Sequence, residues 1–116
     1  MKKKEIYIPK KELFETITNK NILFVDYDGY SNFEFDLYGN YGYINIYEFA
    51  FRIKKFACKS GFYINSSTNC NEEIVKIQRQ PRFEKIIIEK DELTAIYKAG
   101  ELILNELNKE KNYKKD

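Results

Sequence analysis

The chain has 116 residues with a formal charge of +2, and it is 43% hydrophobic, 16% aromatic and 33% charged, so it is too apolar for disorder and long enough for about one domain. It contains no His, which excludes His-based general bases, the Ser and Cys triads that depend on them, and His-ligated zinc. No run of about eighteen apolar residues is present, and the lysine-rich start leads into Ile-Tyr-Ile-Pro rather than a hydrophobic leader core, so a cytoplasmic protein with no membrane partner is expected.

Residues 1–5 read as a frayed tail. From Lys10 to about Asn19, Leu13, Phe14 and Ile17 recur at helical spacing, and Pro9 suits a first helical turn, where its missing N–H has no intrahelical partner. A short N-terminal helix is expected, with Ile6 and Ile8 before it as a strand or a staple. Residues 22–28 and 32–38 are β-branched and aromatic runs separated by Gly29-Tyr30-Ser31, which predicts a hairpin. In its second run Phe33, Phe35 and Leu37 alternate with Glu34, Asp36 and Tyr38, giving one apolar and one acidic face. Gly39, Asn40 and Gly42 read as a break.

Asn45 followed by Glu48 has the spacing of a helix cap, and Ile46, Phe49, Ala50, Ile53 and Ala57 share one face of a helix over 44–60 that stops at Gly61. Its other side carries the basic stripe Arg52, Lys55 and Lys59. Candidate strands follow near 62–65, 74–78 and 83–89, and the unbroken Ile86-Ile87-Ile88 suggests a central strand covered on both faces or one buried under helices. Asp91 can cap a last helix over 91–108, in which Tyr97 is a core contact and Gly100 allows close approach to the sheet. Residues 109–116 read as a charged, frayed tail. The fold class expected is α+β: one domain over 1–116, an antiparallel sheet of about four to five strands, two main helices and the short first one. Open strand edges leave room for two copies to pair as a homodimer.

Four functional readings follow from the residues. Phe24-Val-Asp-Tyr-Asp-Gly29 resembles the first motif of haloacid-dehalogenase-type phosphatases, but the next segment reads as a second strand instead of a helix, and a hairpin turn explains Asp28 and Gly29 more simply. Asp26, Asp28, Glu34 and Asp36 are candidates to share a divalent ion, against the plainer reading of a solvated sheet face. The same acidic hairpin, with Tyr30, is a candidate nucleic-acid mimic or a patch for docking on a basic protein surface, although the net positive charge argues against a wholesale mimic. Arg52, Lys55 and Lys59, with Lys76, Arg79, Arg82 and Lys85, are candidates to track a phosphate backbone, with Tyr63 or Phe83 for stacking, and Arg52, Lys55, Lys59, Arg79 and Arg82 are also candidates to bind a protein partner, against the plainer reading of solvated charge. No catalytic residue, metal or cofactor is assigned, and Cys58 and Cys70 are expected to be unpaired.

Segments 44–62 (Ile-Asn-Ile-Tyr-Glu-Phe-Ala-Phe-Arg-Ile-Lys-Lys-Phe-Ala-Cys-Lys-Ser-Gly-Phe) and 95–105 (Ala-Ile-Tyr-Lys-Ala-Gly-Glu-Leu-Ile-Leu-Asn) resemble small proteins of bacteriophages and integrated elements in low-GC bacteria. The resemblance implies a helix preceding a sheet and a closing helix. By analogy of size and context it also implies a non-catalytic inhibitor of host defence, such as an anti-CRISPR protein bound to an RNA-guided effector nuclease or its guide-RNA complex. The alternative is a small accessory protein that binds DNA or RNA directly through the basic stripe.

Overall fold

The structure is a computed structural model that describes residues 6–79 and 83–114. Helix α1 (Lys11–Thr18) buries Leu13 and Phe14 and ends at Asn19, which takes the left-handed conformation at φ 58°. Pro9 lies just ahead of the N-cap Lys10 rather than in the first turn, and residues 6–10 carry no regular structure. The backbone N–H of Lys10 is instead satisfied by Glu101 Oε2 at 2.8 Å, from the far end of the chain.

Strands β1 (Phe24–Tyr27), β2 (Asn32–Asp36) and β3 (Tyr41–Asn45) form one antiparallel sheet in that order. The expected hairpin is therefore correct, but Gly39, Asn40 and Gly42 do not end the sheet. They make a turn, closed by Leu37 N–H to Asn40 C=O at 2.7 Å, and lead into a third strand. Gly42 sits inside β3 opposite Phe35, where a Cβ would lie 3.1 Å from both the Phe35 ring and Leu37 Cδ1. Those two side chains occupy the space a Cβ would need, so glycine suits this position of the strand.

Helix α2 (Ile46–Lys59) therefore begins two residues later than expected. Asn45 caps it, accepting the N–H of Tyr47 at 2.8 Å and of Glu48 at 3.3 Å, and Gly61 follows its end at φ 86°. Strands β4 (Tyr63–Thr68), β5 (Glu73–Arg79) and β6 (Phe83–Glu89) make a second antiparallel sheet in that order. Six strands in two sheets thus replace the single sheet of four or five. In particular β6 is an edge, not a doubly covered centre, and Ile86 and Ile88 are 57% and 54% exposed. An apolar triplet is equally compatible with either placement, and only the pairing decides.

Helix α3 (Glu92–Lys114) is capped by Asp91, which accepts the Thr94 N–H at 2.8 Å and hydroxyl at 2.9 Å. It runs past residue 108, so the segment expected to fray is helical as far as 114. Sheet faces pack on the helices in a plate of 46 × 44 × 17 Å, about two layers thick.

The centre is aromatic. Phe14 of α1 stacks on Phe49 of α2 at 4.2 Å, and Phe33 of β2 meets Phe14, Phe49 and Tyr97 at 5.0, 5.7 and 5.5 Å. Gly100 does bring elements close, but these are α2 and α1 rather than the sheet. Tyr97 is fully buried and donates its hydroxyl to Ile46 C=O at 2.7 Å.

Burial pushes the Tyr97 phenol well above the ordinary range, and the partly buried Tyr7 is pushed up to about 12 by burial and by donating to Glu101 Oε1 at 2.5 Å. Both keep their protons at a pH where an unfolded chain, with phenols near ~10, has released them. Their contribution is complete below pH ~10 and falls as pH rises toward about 12 for Tyr7, and beyond for Tyr97. Urea unfolding across pH 7 to 11 should show this decline, and Tyr97→Phe should lessen it to the share of Tyr7 while costing about 1 kcal/mol at neutral pH for the lost hydrogen bond.

Candidate functional site

The pleat of the first sheet turns Val25, Tyr27, Phe33, Phe35 and Ile44 inward, and Phe24, Asp26, Glu34, Asp36, Tyr41 and Tyr43 outward. Strand register arranges the outward set in two rows, Phe24–Asp36–Tyr41 and Asp26–Glu34–Tyr43. Phe24, Tyr41 and Tyr43 are 51%, 80% and 76% exposed. No Lys or Arg occupies an outward strand position, and Asp26, Glu34 and Asp36 make no ion pair among the described residues. Asp26 faces Glu34 directly, an arrangement that disfavours the isolated sheet and favours any cation brought to it.

Asp28 is different from its neighbours. Its Oδ1 accepts the N–H groups of Tyr30, Ser31 and Asn32 at 2.7, 3.0 and 3.1 Å, and its Oδ2 accepts Asn32 Nδ2 at 3.2 Å. The Tyr30 N–H, with help from the others, holds this carboxyl below the usual aspartate range. Asp28 therefore builds the hairpin turn, with Gly29 at φ 89°, and Tyr30 projects from the tip at 70% exposure. The phosphatase-like motif thus leads through a turn into antiparallel β2. Among the described residues no three Asp, Glu or Cys side chains are grouped to hold a metal ion. Asp36 also has a local role, accepting Tyr38 N–H at 2.9 Å and supporting that residue at φ 57°, where a side chain as large as Tyr is uncommon.

The basic residues divide. Arg52, Lys55 and Lys59 line one shallow groove with Thr16, Ile17 and Phe56 between α1 and α2. Within it Arg52 is bound to Glu48 at 3.1 Å, and Lys55 lies 4.9 Å over the Phe51 ring. Arg79 does not extend that track: it is ion-paired to Glu110 of α3 and lies 4.8 Å over the Phe62 ring. Lys76 stands 3.7 Å from Glu84, Lys85 is exposed on β6, and Arg82 lies outside the described residues. Of the two stacking candidates, Tyr63 is exposed, whereas Phe83 is half-buried, edge-on to Phe62 at 5.5 Å. Cys58 and Cys70 are exposed and unpaired.

The carboxylates of the outward face are legible in the sequence, whereas Phe24, Tyr41 and Tyr43 are not. The alternation Tyr41, Tyr43, Asn45 against Gly42 and Ile44 was the available signal, hidden by the turn formers around it. The chain matches no protein-family model, no curated protein and no solved structure. Among the described residues no helix is long and apolar enough to cross a membrane.

Proposed function

We propose that this chain is a non-catalytic binding protein that docks the outward face of its first sheet on a basic surface of a partner protein. We further infer that the partner is a nucleic-acid-handling effector of bacterial defence, such as an RNA-guided nuclease with its guide, which docking inhibits. The observation that carries the docking reading is the face itself: carboxylates without cationic partners among the described residues, set between exposed aromatic rings. Tyr and Phe supply rigid contact area at low entropic cost, and a patch of one sign steers and selects a partner of the other. The partner class is proposed only by analogy of size and context with small phage proteins, which residues 44–62 and 95–105 resemble.

The test is a pull-down from nuclease-treated bacterial lysate, followed by titration of the captured protein. A stoichiometric protein partner should survive nuclease treatment, and Asp26→Lys/Glu34→Lys/Asp36→Lys should weaken it by roughly a hundredfold or more. Retention of full affinity by that variant would overturn the reading. Because Arg52, Lys55 and Lys59 share one groove, direct nucleic-acid binding is the second reading. It predicts the reverse pattern: capture lost with nuclease, steep salt dependence, and sensitivity to Arg52→Glu/Lys55→Glu/Lys59→Glu.

A further inference from the structure

Residues 84–90, which make up most of the β6 edge and the residue after it, read Glu-Lys-Ile-Ile-Ile-Glu-Lys. Laid antiparallel on a second copy and centred on Ile87, this run sets Glu84 against Lys90, Lys85 against Glu89, Ile86 against Ile88, and Ile87 against itself. We propose that the β6 edge is a self-association surface, through which two copies join their second sheets into one continuous antiparallel sheet of order β4-β5-β6-β6-β5-β4.

The pleat agrees with this pairing. Positions 84, 86 and 88 lie on the open face with Ile74 and Lys76, and 85, 87 and 89 on the face shared with Val75 and Ile77, so both members of each pair within the strand share a face. The register is also selective. Slipping by one residue brings Lys85 against Lys90 in one direction and Glu84 against Glu89 in the other. Slipping by two sets charges against isoleucines, and a parallel alignment in register sets every charge against its like.

Natural edges are commonly guarded by charge. Here the charges guard against strangers but complement a second copy, while Ile86 and Ile88 stay more than half exposed between them. Lys85 and Lys90 have no ion-pair partner among the described residues. Glu89 holds Lys98 through Oε2 at 2.7 Å, which leaves Oε1 to meet an incoming lysine. The opposite edge, β4, offers exposed Asn65, Ser66, Ser67 and Thr68 instead. Joining β6 to β6 is isologous and closes as a two-fold dimer, whereas β6 on β4 would propagate without closing.

Sedimentation velocity of the whole chain from about 10 µM to about 1 mM tests this, together with an acidic variant, Lys85→Glu/Lys90→Glu, and a basic one, Glu84→Lys/Glu89→Lys. The natural chain should move from 13.9 kDa toward twice that mass, with β6 amides gaining hydrogen-exchange protection over the same concentrations. Each variant alone should associate at least about tenfold more weakly, since like charges face each other across the axis. An equimolar mixture of the two should recover association as a heterodimer, because every facing pair is again opposite in sign, an outcome that misfolding does not produce. A natural chain that stays monomeric without concentration-dependent β6 protection would overturn the proposal. So would variants that associate like the natural chain, or folded variants whose mixture stays monomeric.

Discussion

Phe33→Ala should destabilise the protein by about 3–5 kcal/mol, the largest single-residue effect expected in this chain. The ring is fully buried and meets Phe14, Phe49 and Tyr97 edge-on or nearly so, at 5.0, 5.7 and 5.5 Å. It is the point at which β2 touches α1, α2 and α3 together. Truncation removes the ring's transfer free energy and leaves a cavity among three helices that the surrounding structure closes only in part. Small domains are stable by only about 5–15 kcal/mol, so the variant should sit near its unfolding threshold. Urea unfolding monitored by circular dichroism measures the loss, and a change below ~1 kcal/mol would mean that the aromatic cluster is not the fold's centre. Phe33→Leu, which keeps most of the volume, should recover much of the difference.

Gly100→Ala should also destabilise, by about 1–3 kcal/mol, although alanine is the better helix former by close to ~1 kcal/mol. A Cβ at this position would stand 2.9 Å from Ile53 Cγ2 and 3.1 Å from Leu13 Cδ2. Leu13 has some freedom at its end, but Ile53 Cγ2 is a branch methyl next to the α2 backbone, so α2 and α3 must separate to admit the new atom. The sign of the measured change is what matters. Stabilisation would show that propensity outweighs the close approach of the helices. If contact dominates, Gly100→Leu should be more damaging than Gly100→Ala.

The two proposed docking surfaces lie on different sheets and make different demands on the chain. The first-sheet face keeps Asp26 opposite Glu34 at some cost to the sheet itself, while the Phe33 ring beneath it anchors the strand that carries two of its three carboxylates. A core variant such as Phe33→Ala should therefore weaken partner capture by loosening the platform, without touching β6 pairing chemistry. Charge reversals on β6 should leave capture through the first sheet unaltered.

Much of the local structure was determined by the sequence itself, because its causes act over a few residues. Asn45 accepts the N–H groups two and three residues on, Gly61 takes the conformation that ends α2, Asp91 caps α3, and Asp28 folds the hairpin tip around its own carboxylate. The alternation through Phe33 and Phe35 likewise assigned the buried and acidic sides of β2. Tertiary structure decided what depends on partners distant in the chain. Gly42 belongs to a strand because its segment pairs with β2, and that pairing carries Tyr41 and Tyr43 onto the acidic face. The isoleucine triplet is an edge rather than a centre because β5 takes the middle of its sheet, and Arg79 is drawn away from the basic stripe by Glu110, 31 residues on. Caps and turns are satisfied within a helical turn or a hairpin, but strand order and charge pairing depend on which distant surfaces meet when the core closes.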